Sequence, residues 1–366
     1  MTKARKPSPG SKVPTGATRP PEPVFHDPRH DVTIYPGDCL EVMAALPAES
    51  VDLIFADPPY FLSNDGITCQ AGKMVSVNKG DWDKSKGADQ NHEFNRLWLA
   101  ACKRLLSPNG SIWVSGTSHV IHSIGFAMQQ LEFKMLNDIT WIKPNPPPNL
   151  SCRYFTHATE TIIWAAKNKK SRHTFNYAAM RADNGGKQMK SAWTFLPPRS
   201  SEKVFGKHPA QKPVDLLERI IRASSSEESL LFDPFAGSGT LAVAALRSHR
   251  KVLLCEMDDG FLDLALARIC SELIQVAFSF SFDSFPLDLL FDPMDRSDRH
   301  RDNMSANPNL VFTECRFHFI GRSKRQVIFS VLATSLDRAW DAFRASDKSH
   351  EDTIFVIRTS TEIFLT

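Results

Sequence analysis

Apolar and polar positions along this chain alternate in blocks rather than at random. From Val32 to about Ile274, short apolar runs of strand length recur between longer stretches whose apolar residues keep helical spacing. The runs VDLIFAD (51–57), SIWVSG (111–116), DITWIK (138–143), TIIWAAK (161–167), SLLFDPF (229–235) and KVLLCEM (251–257) predict strands. The segments HEFNRLWLAACKRLL (92–106), VIHSIGFAMQQL (120–131), VDLLERIIRAS (214–224) and TLAVAALRS (240–248) predict amphipathic helices. Strands that take turns with helices imply an α/β fold: a mostly parallel sheet, helices on both faces, and ligands at the strands' carboxyl ends.

Two stretches interrupt the rhythm. Residues 61–91 are polar and contain glycine, which predicts a loop, and residues 170–205 are basic and irregular. Residues 1–27, rich in Pro, Ser, Lys and Arg, are expected to form a flexible basic arm. Beyond Glu272 the texture changes again, because the last 94 residues hold 12 of the 25 phenylalanines. Within that stretch VFTECRFHFI is strand-like and SLDRAWDAF helical, so residues 274–366 are expected to be a C-terminal extension, of undefined role, to a domain spanning 28–273.

Composition narrows the class. The 366 residues are 42% hydrophobic and 23% charged, the balance of a globular protein. No window approaches a membrane span, and the N-terminal segment lacks an apolar core for secretion, so a cytoplasmic location is expected. The seven cysteines form no CxxC pair and the twelve histidines include no HExxH, which leaves no metal site to predict. The net charge is only +3, yet residues 143–222 carry 15 Lys/Arg against 5 Asp/Glu. Such a basic block suits phosphate contact.

Two motifs carry chemistry. The first, Asp57-Pro58-Pro59-Tyr60, ends a strand. Two prolines fix φ and surrender their N–H groups, leaving the Asp57 carboxylate and the Pro58 carbonyl as neighbouring acceptors. Such a pair suits an exocyclic amino group with two donors, and Tyr60 offers a flat face to an extruded base. The second, Asp233-Pro234-Phe235-Ala236-Gly237-Ser238-Gly239-Thr240, is again a strand entering a helix, and its glycines let backbone approach a ligand. The next strand ends in Glu256, placed as the usual acidic partner of ribose hydroxyls.

Together the motifs resemble those of the amino-methylating DNA methyltransferases, with DPPY as the catalytic motif and FxGxG as the S-adenosylmethionine loop. Their order, catalytic motif first, is similar to the β group. ADPPYFLS, NKGDWDK (78–84), NDITWIKPNPPPN (137–149), HATETIIWAAK (157–167) and GKHPAQKPVDLLERII (206–221) extend the resemblance over roughly residues 32–273. The similarity is greatest to the adenine-methylating branches of Dpn-type GATC systems and of cell-cycle-regulated methylation. It implies a Rossmann-like, seven-stranded methyltransferase fold with circularly permuted motif order. It also implies S-adenosylmethionine as cofactor, a DNA substrate with a flipped adenine as target, a homodimer, a partner restriction endonuclease, and a place at the bacterial nucleoid.

The resemblance also assigns roles. Asp57, Pro58, Pro59 and Tyr60 are implied to be catalytic. Asp38, Cys39, Asp57, Lys207, His208, Phe235, Gly237, Ser238, Gly239, Thr240 and Glu256 are implied to surround the cofactor, with Lys212-Pro213 in the segment closing over it. Region 170–205 stands where the β group keeps target recognition, so Lys169, Lys170, Arg172, Arg181, Lys187 and Lys190 are expected to contact DNA. Leu97, Trp98, Ile124 and Met128 are more apolar than a solvent face needs and are expected at a dimer face. Three alternatives stay open: cytosine N4 as the target, an RNA or protein-glutamine substrate, and an inactive DNA-binding relative. A cytosine-C5 mechanism through Cys39 lacks the usual Pro-Cys and is set aside.

Overall fold

The computed structural model describes residues 21–63, 67–70, 73–76, 80–281, 310–311, 315–321, 327–333, 353–360 and 363–364. Most of the arm and the SLDRAWDAF segment lie outside the described residues. The chain divides into two compact units, Met1–Ala265 and Leu266–Thr366. The expected boundary at 273/274 falls inside a helix that runs through the division.

In chain order, the first unit begins β1 (Phe25–Asp27), β2 (Val32–Pro36), α1 (Cys39–Ala45) and β3 (Val51–Ala56). A hairpin of β4 (Ile67–Gln70) and β5 (Lys73–Ser76) follows, then a 3-10 turn at Asp81–Asp83. Next come α2 (Ala88–Leu105), β6 (Leu106–Gly116), α3 (Ile121–Gln130), β7 (Lys134–Ile142) and β8 (Thr159–Ala166). The unit continues with α4 (Tyr177–Asp183), β9 (Ala192–Thr194), α5 (Val214–Ser224), β10 (Leu230–Asp233), α6 (Thr240–Arg247) and β11 (Lys251–Glu256). Helix α7 (Asp259–Ser281) crosses into the second unit. There β12 (Leu310–Val311) pairs with β16 (Ile363–Phe364), and β13 (Cys315–Gly321) lies between β14 (Val327–Ala333) and β15 (Thr353–Ser360), all antiparallel.

The main sheet has nine strands in the order β1-β2-β11-β10-β3-β6-β8-β7-β9. The seven from β2 to β7 are the expected methyltransferase sheet, and the three-residue strands β1 and β9 extend its edges. Strand β1 draws Phe25–Asp27, expected in the arm, into the fold. All central pairings are parallel except those of β8, which runs against both β6 and β7. Its buried run alternates poorly because both faces are covered.

The core is built as the pattern requires. Helix α5 buries Leu216, Leu217, Ile220 and Ile221. Trp113 of β6 stacks on Trp164 of β8 with centroids 4.7 Å apart and donates its indole N–H to Ser224. Trp98, Ile124 and Met128 are fully buried, so these members of the expected dimer face are core residues. Their helical spacing is shared by both uses, and only the packing of α2 and α3 onto the sheet decides between them.

Candidate active site

Parallel strands deliver their carboxyl ends to one edge, and the motifs meet there. Asp57 follows β3, Asp233 ends β10 and Glu256 ends β11, three neighbouring strands of the sheet. Together with Gly37 and Asp38 after β2 they line a cavity of about 590 Å³.

The cofactor-loop half of the cavity is organised by backbone. Gly237 and Gly239 have φ of +52° and +70°, left-handed values that favour glycine. A Cβ on Gly237 would come within 3.0 Å of the His208 ring, so the close approach requires glycine there. The Gly237 N–H donates to Glu256 Oε2 at 2.6 Å, while Met257 and Asp258 N–H groups donate to Oε1. Burial nevertheless pushes the Glu256 carboxyl above its usual range. Asp38 caps α1 by accepting from Leu40 N–H at 2.7 Å and lines the wall. The His208 ring accepts the Ala210 N–H at Nδ1, which puts its proton on Nε2 when neutral.

The predicted residues divide by position. Asp38, Cys39, Asp57, Pro58, Pro59, Tyr60, His208, Phe235, Gly237, Ser238, Thr240 and Glu256 all line the cavity. Gly239 caps α6 just behind the wall. Lys207 is exposed and outside the lining, whereas Lys84, Lys86 and Lys212 belong to it. The Cys39 thiol is pushed far up by burial, an inert packing group.

Around Asp57 lies a network that no local pattern announces. One carboxylate oxygen accepts the Tyr60 hydroxyl at 2.7 Å and the other pairs with the Lys212 ammonium. Lys212 also lies 3.8 Å from Glu160 Oε2, and Glu160 pairs through its other oxygen with Lys143. Ser115 lies within hydrogen-bond reach of both Tyr60 and Glu160. Burial alone would depress the Lys212 ammonium, but Asp57 and Glu160 outweigh it and hold the group above its ordinary value. Burial likewise opposes ionisation of Glu160, and Lys212 with Lys143 overcomes it, holding that carboxyl below the usual range. The Tyr60 hydroxyl, buried beside two carboxylates, is pushed well up and stays protonated. A carboxylate has about four acceptor directions, so Asp57 keeps capacity for a further donor.

The basic region is split by the antiparallel course of β8. Gly116 and Thr161 are opposed near the cavity, whereas Ala166 is level with Ser111 and Leu53. Four residues of strand, roughly 13 Å, separate that level from Asp57. Lys169, Lys170 and Arg172 therefore follow β8 at the sheet edge opposite the cavity. Arg181 is engaged by Gly186 O in its own turn. From α4 the chain returns through exposed Lys187 and Lys190 to β9, whose Thr194 is level with Ile142 at the cavity edge. Trp193, read with the basic region, is 5% exposed and packs on Trp113.

Comparison with known proteins agrees with this geometry. A family model described as DNA methylase (N6_N4_Mtase) matches residues 51–267. The type II methyltransferase M2.LlaDCHI of Lactococcus lactis subsp. cremoris is 53% identical over 64% of this chain and 87% of its own length. M2.DpnII of Streptococcus pneumoniae is 52% identical, over 64% of this chain and 88% of its own. M2.MboI of Moraxella bovis is 47% identical, over 68% and 90%. The fold is shared with the PvuII DNA methyltransferase, described as cytosine-N4-specific, at TM-score 0.55 and 18% identity over 71% of this chain and 96% of that one. With its motifs at one sheet edge and the family model matched over residues 51–267, the chain belongs to the N6_N4_Mtase family of DNA methylases.

Proposed function

We propose that this chain is a site-specific DNA adenine-N6 methyltransferase that takes its methyl group from S-adenosylmethionine. The observation that carries the reading is the meeting of Asp57-Pro58-Pro59-Tyr60 and the Gly237–Glu256 cradle in one cavity. The residues suit that cofactor: the volume is in the range of small-molecule sites, Glu256 and Asp38 provide acceptors, and Gly237 leaves room beside His208 that a Cβ would fill. When bound, S-adenosylmethionine supplies an electrophilic methyl group on a sulfonium.

The chain's own residues do the rest. Asp57 and the Pro58 carbonyl hold the two amino hydrogens and orient the nitrogen lone pair. Lys212 pairs with one Asp57 oxygen and Tyr60 donates to the other, which fixes the carboxylate in place. The nitrogen becomes cationic as its new bond forms, so its proton is acidic enough to leave without a strong base. Aspartate at position 57 favours adenine over cytosine N4. Lys187 and Lys190 are the cations of the expected set on the path back to the cavity, and they are proposed to contact DNA phosphates within a target-recognition region at 170–205.

A homodimer, a partner endonuclease of the same site and a cytoplasmic place at the nucleoid complete the proposal. The relatives' designation as type II methyltransferases supports the endonuclease. Among the described residues no helix is long and apolar enough to cross a membrane. The test of the site is Asp57→Ala. It removes a charge-assisted acceptor used mainly in the transition state, at a cost of about 3 kcal/mol or more, on the order of a hundredfold in turnover. Cofactor binding should stay within about threefold. Near wild-type turnover would refute the catalytic assignment.

A further inference from the structure

Residues 80–84 have no part in the chemistry described so far, yet they reach both halves of the cavity. Asp83 is completely buried, and its carboxylate faces the backbone that follows the two prolines. Oδ1 accepts the N–H groups of Tyr60 and Phe61, each at 2.8 Å. Oδ2 accepts the Leu62 N–H at 3.2 Å and the Ser63 hydroxyl at 2.8 Å. The Asp83 carbonyl takes the Ser63 N–H as well. Pro58 and Pro59 have no N–H to offer a ladder, so the next four amides all end on this one residue. Phe61 needs such support, because its φ of +57° is unusual for a residue with a side chain. The neighbouring Trp82 lies over the His208 ring, with centroids 6.4 Å apart and planes within 16°. That is the histidine against which Gly237 closes.

We infer that Asp83 is a positioning residue that holds the catalytic turn in its reactive shape, and that Trp82 makes this shape responsive to the filling of the Gly237 cradle. The inference rests on the proposed methyltransferase reading and adds to it a coupling between cofactor site and catalytic turn. A carboxylate suits this role because it accepts several N–H groups at once, and each such bond is stronger than one to a neutral acceptor. An asparagine in its place keeps one accepting oxygen but turns an NH2 towards N–H donors. It should therefore hold the turn partly.

The experiment combines kinetics with hydrogen exchange on the full chain. Asp83→Ala should lower kcat by about a hundredfold while the Kd for S-adenosylhomocysteine and the KM for DNA each stay within about threefold. Asp83→Asn should recover at least about tenfold of that loss. Backbone amides 60–63 should exchange faster in both variants. In the wild type, S-adenosylhomocysteine should slow exchange at these amides, and in Trp82→Ala that slowing should disappear. Turnover of Asp83→Ala within about threefold of wild type, or a loss that lies in Kd rather than kcat, overturns the positioning role. Slowing that persists in Trp82→Ala overturns the coupling. The exchange measurements need no turnover, so they decide the inference even if the wild type fails to methylate DNA, a result that would count against the proposed function alone. Should Asp83→Ala not fold, Asp83→Asn carries both readouts, and wild-type exchange at 60–63 together with wild-type kcat in that variant overturns the role.

Discussion

Replacing Lys212 with methionine removes the cation shared by two buried carboxylates while keeping most of the side chain's volume. The side chains of Lys212, Asp57 and Glu160 are 6%, 12% and 10% exposed, so solvent screens them little. At the 3.8 Å of the Lys212–Glu160 pair, one unit-charge contact amounts to about 4 kcal/mol at an effective dielectric of about 20. Desolvation offsets much of that, but deleting one partner leaves charge uncompensated, and the net loss should be about 3–5 kcal/mol. For a unit of this size that lowers Tm by roughly 6–20 °C. The sign with pH follows from the shifts. Glu160 is held low in the wild type, so its stabilisation is present above the ordinary carboxylate value and is lost only as pH falls below it. Lys212 is held high, so its contribution persists up to its ordinary value and fades above it. In Lys212→Met burial opposes ionisation of Glu160 with only Lys143 left to offset it, so Glu160 takes up its proton at a higher pH than in the wild type. The gap in Tm between the proteins should therefore narrow with acid, as read by scanning calorimetry. Adding Glu160→Gln to Lys212→Met should restore about 1–2 kcal/mol. A loss under about 1 kcal/mol, or a gap that does not change with pH, would refute the network as drawn.

Two further outcomes follow from placement. Lys187→Ala with Lys190→Ala should weaken binding to all DNA and flatten the salt dependence by up to about two units of slope, whereas Lys169→Ala with Lys170→Ala should leave both unchanged; binding titrations across a salt series decide between them. Glu256→Gln should raise the Kd for S-adenosylhomocysteine by about tenfold while DNA affinity holds, and calorimetric titration showing unchanged cofactor affinity would remove Glu256 from the cofactor site.

What could be read from the sequence was local. Asp57, Gly237 and Glu256 each follow an apolar run directly, and parallel strands bring such positions together without further information. The ten apolar segments chosen from periodicity all became the elements they predicted. Lys143, Glu160 and Lys212 were invisible as a group, because they meet only where β7 ends, β8 begins and the segment before α5 returns. Asp83 was hidden in a polar stretch that reads as loop, and a loop aspartate gives no sign that it will be buried under four backbone groups. The edge at which the lysines after β8 stand could not be read for one reason: charge says that phosphate contact is possible, but strand direction decides the edge. Had β8 run parallel to β6, Lys169 would follow it at the same sheet edge as Asp57.

The central claim is that the amino group accepted by Asp57 belongs to adenine. It is tested most directly by expressing the chain in a host free of DNA methylation and identifying the modified nucleoside and its sequence context. N6-methyladenine at one short recurring site, absent when Asp57→Ala is expressed instead, is the expected result. N4-methylcytosine at such a site, or DNA left unmodified by a folded protein that binds S-adenosylmethionine, would contradict it.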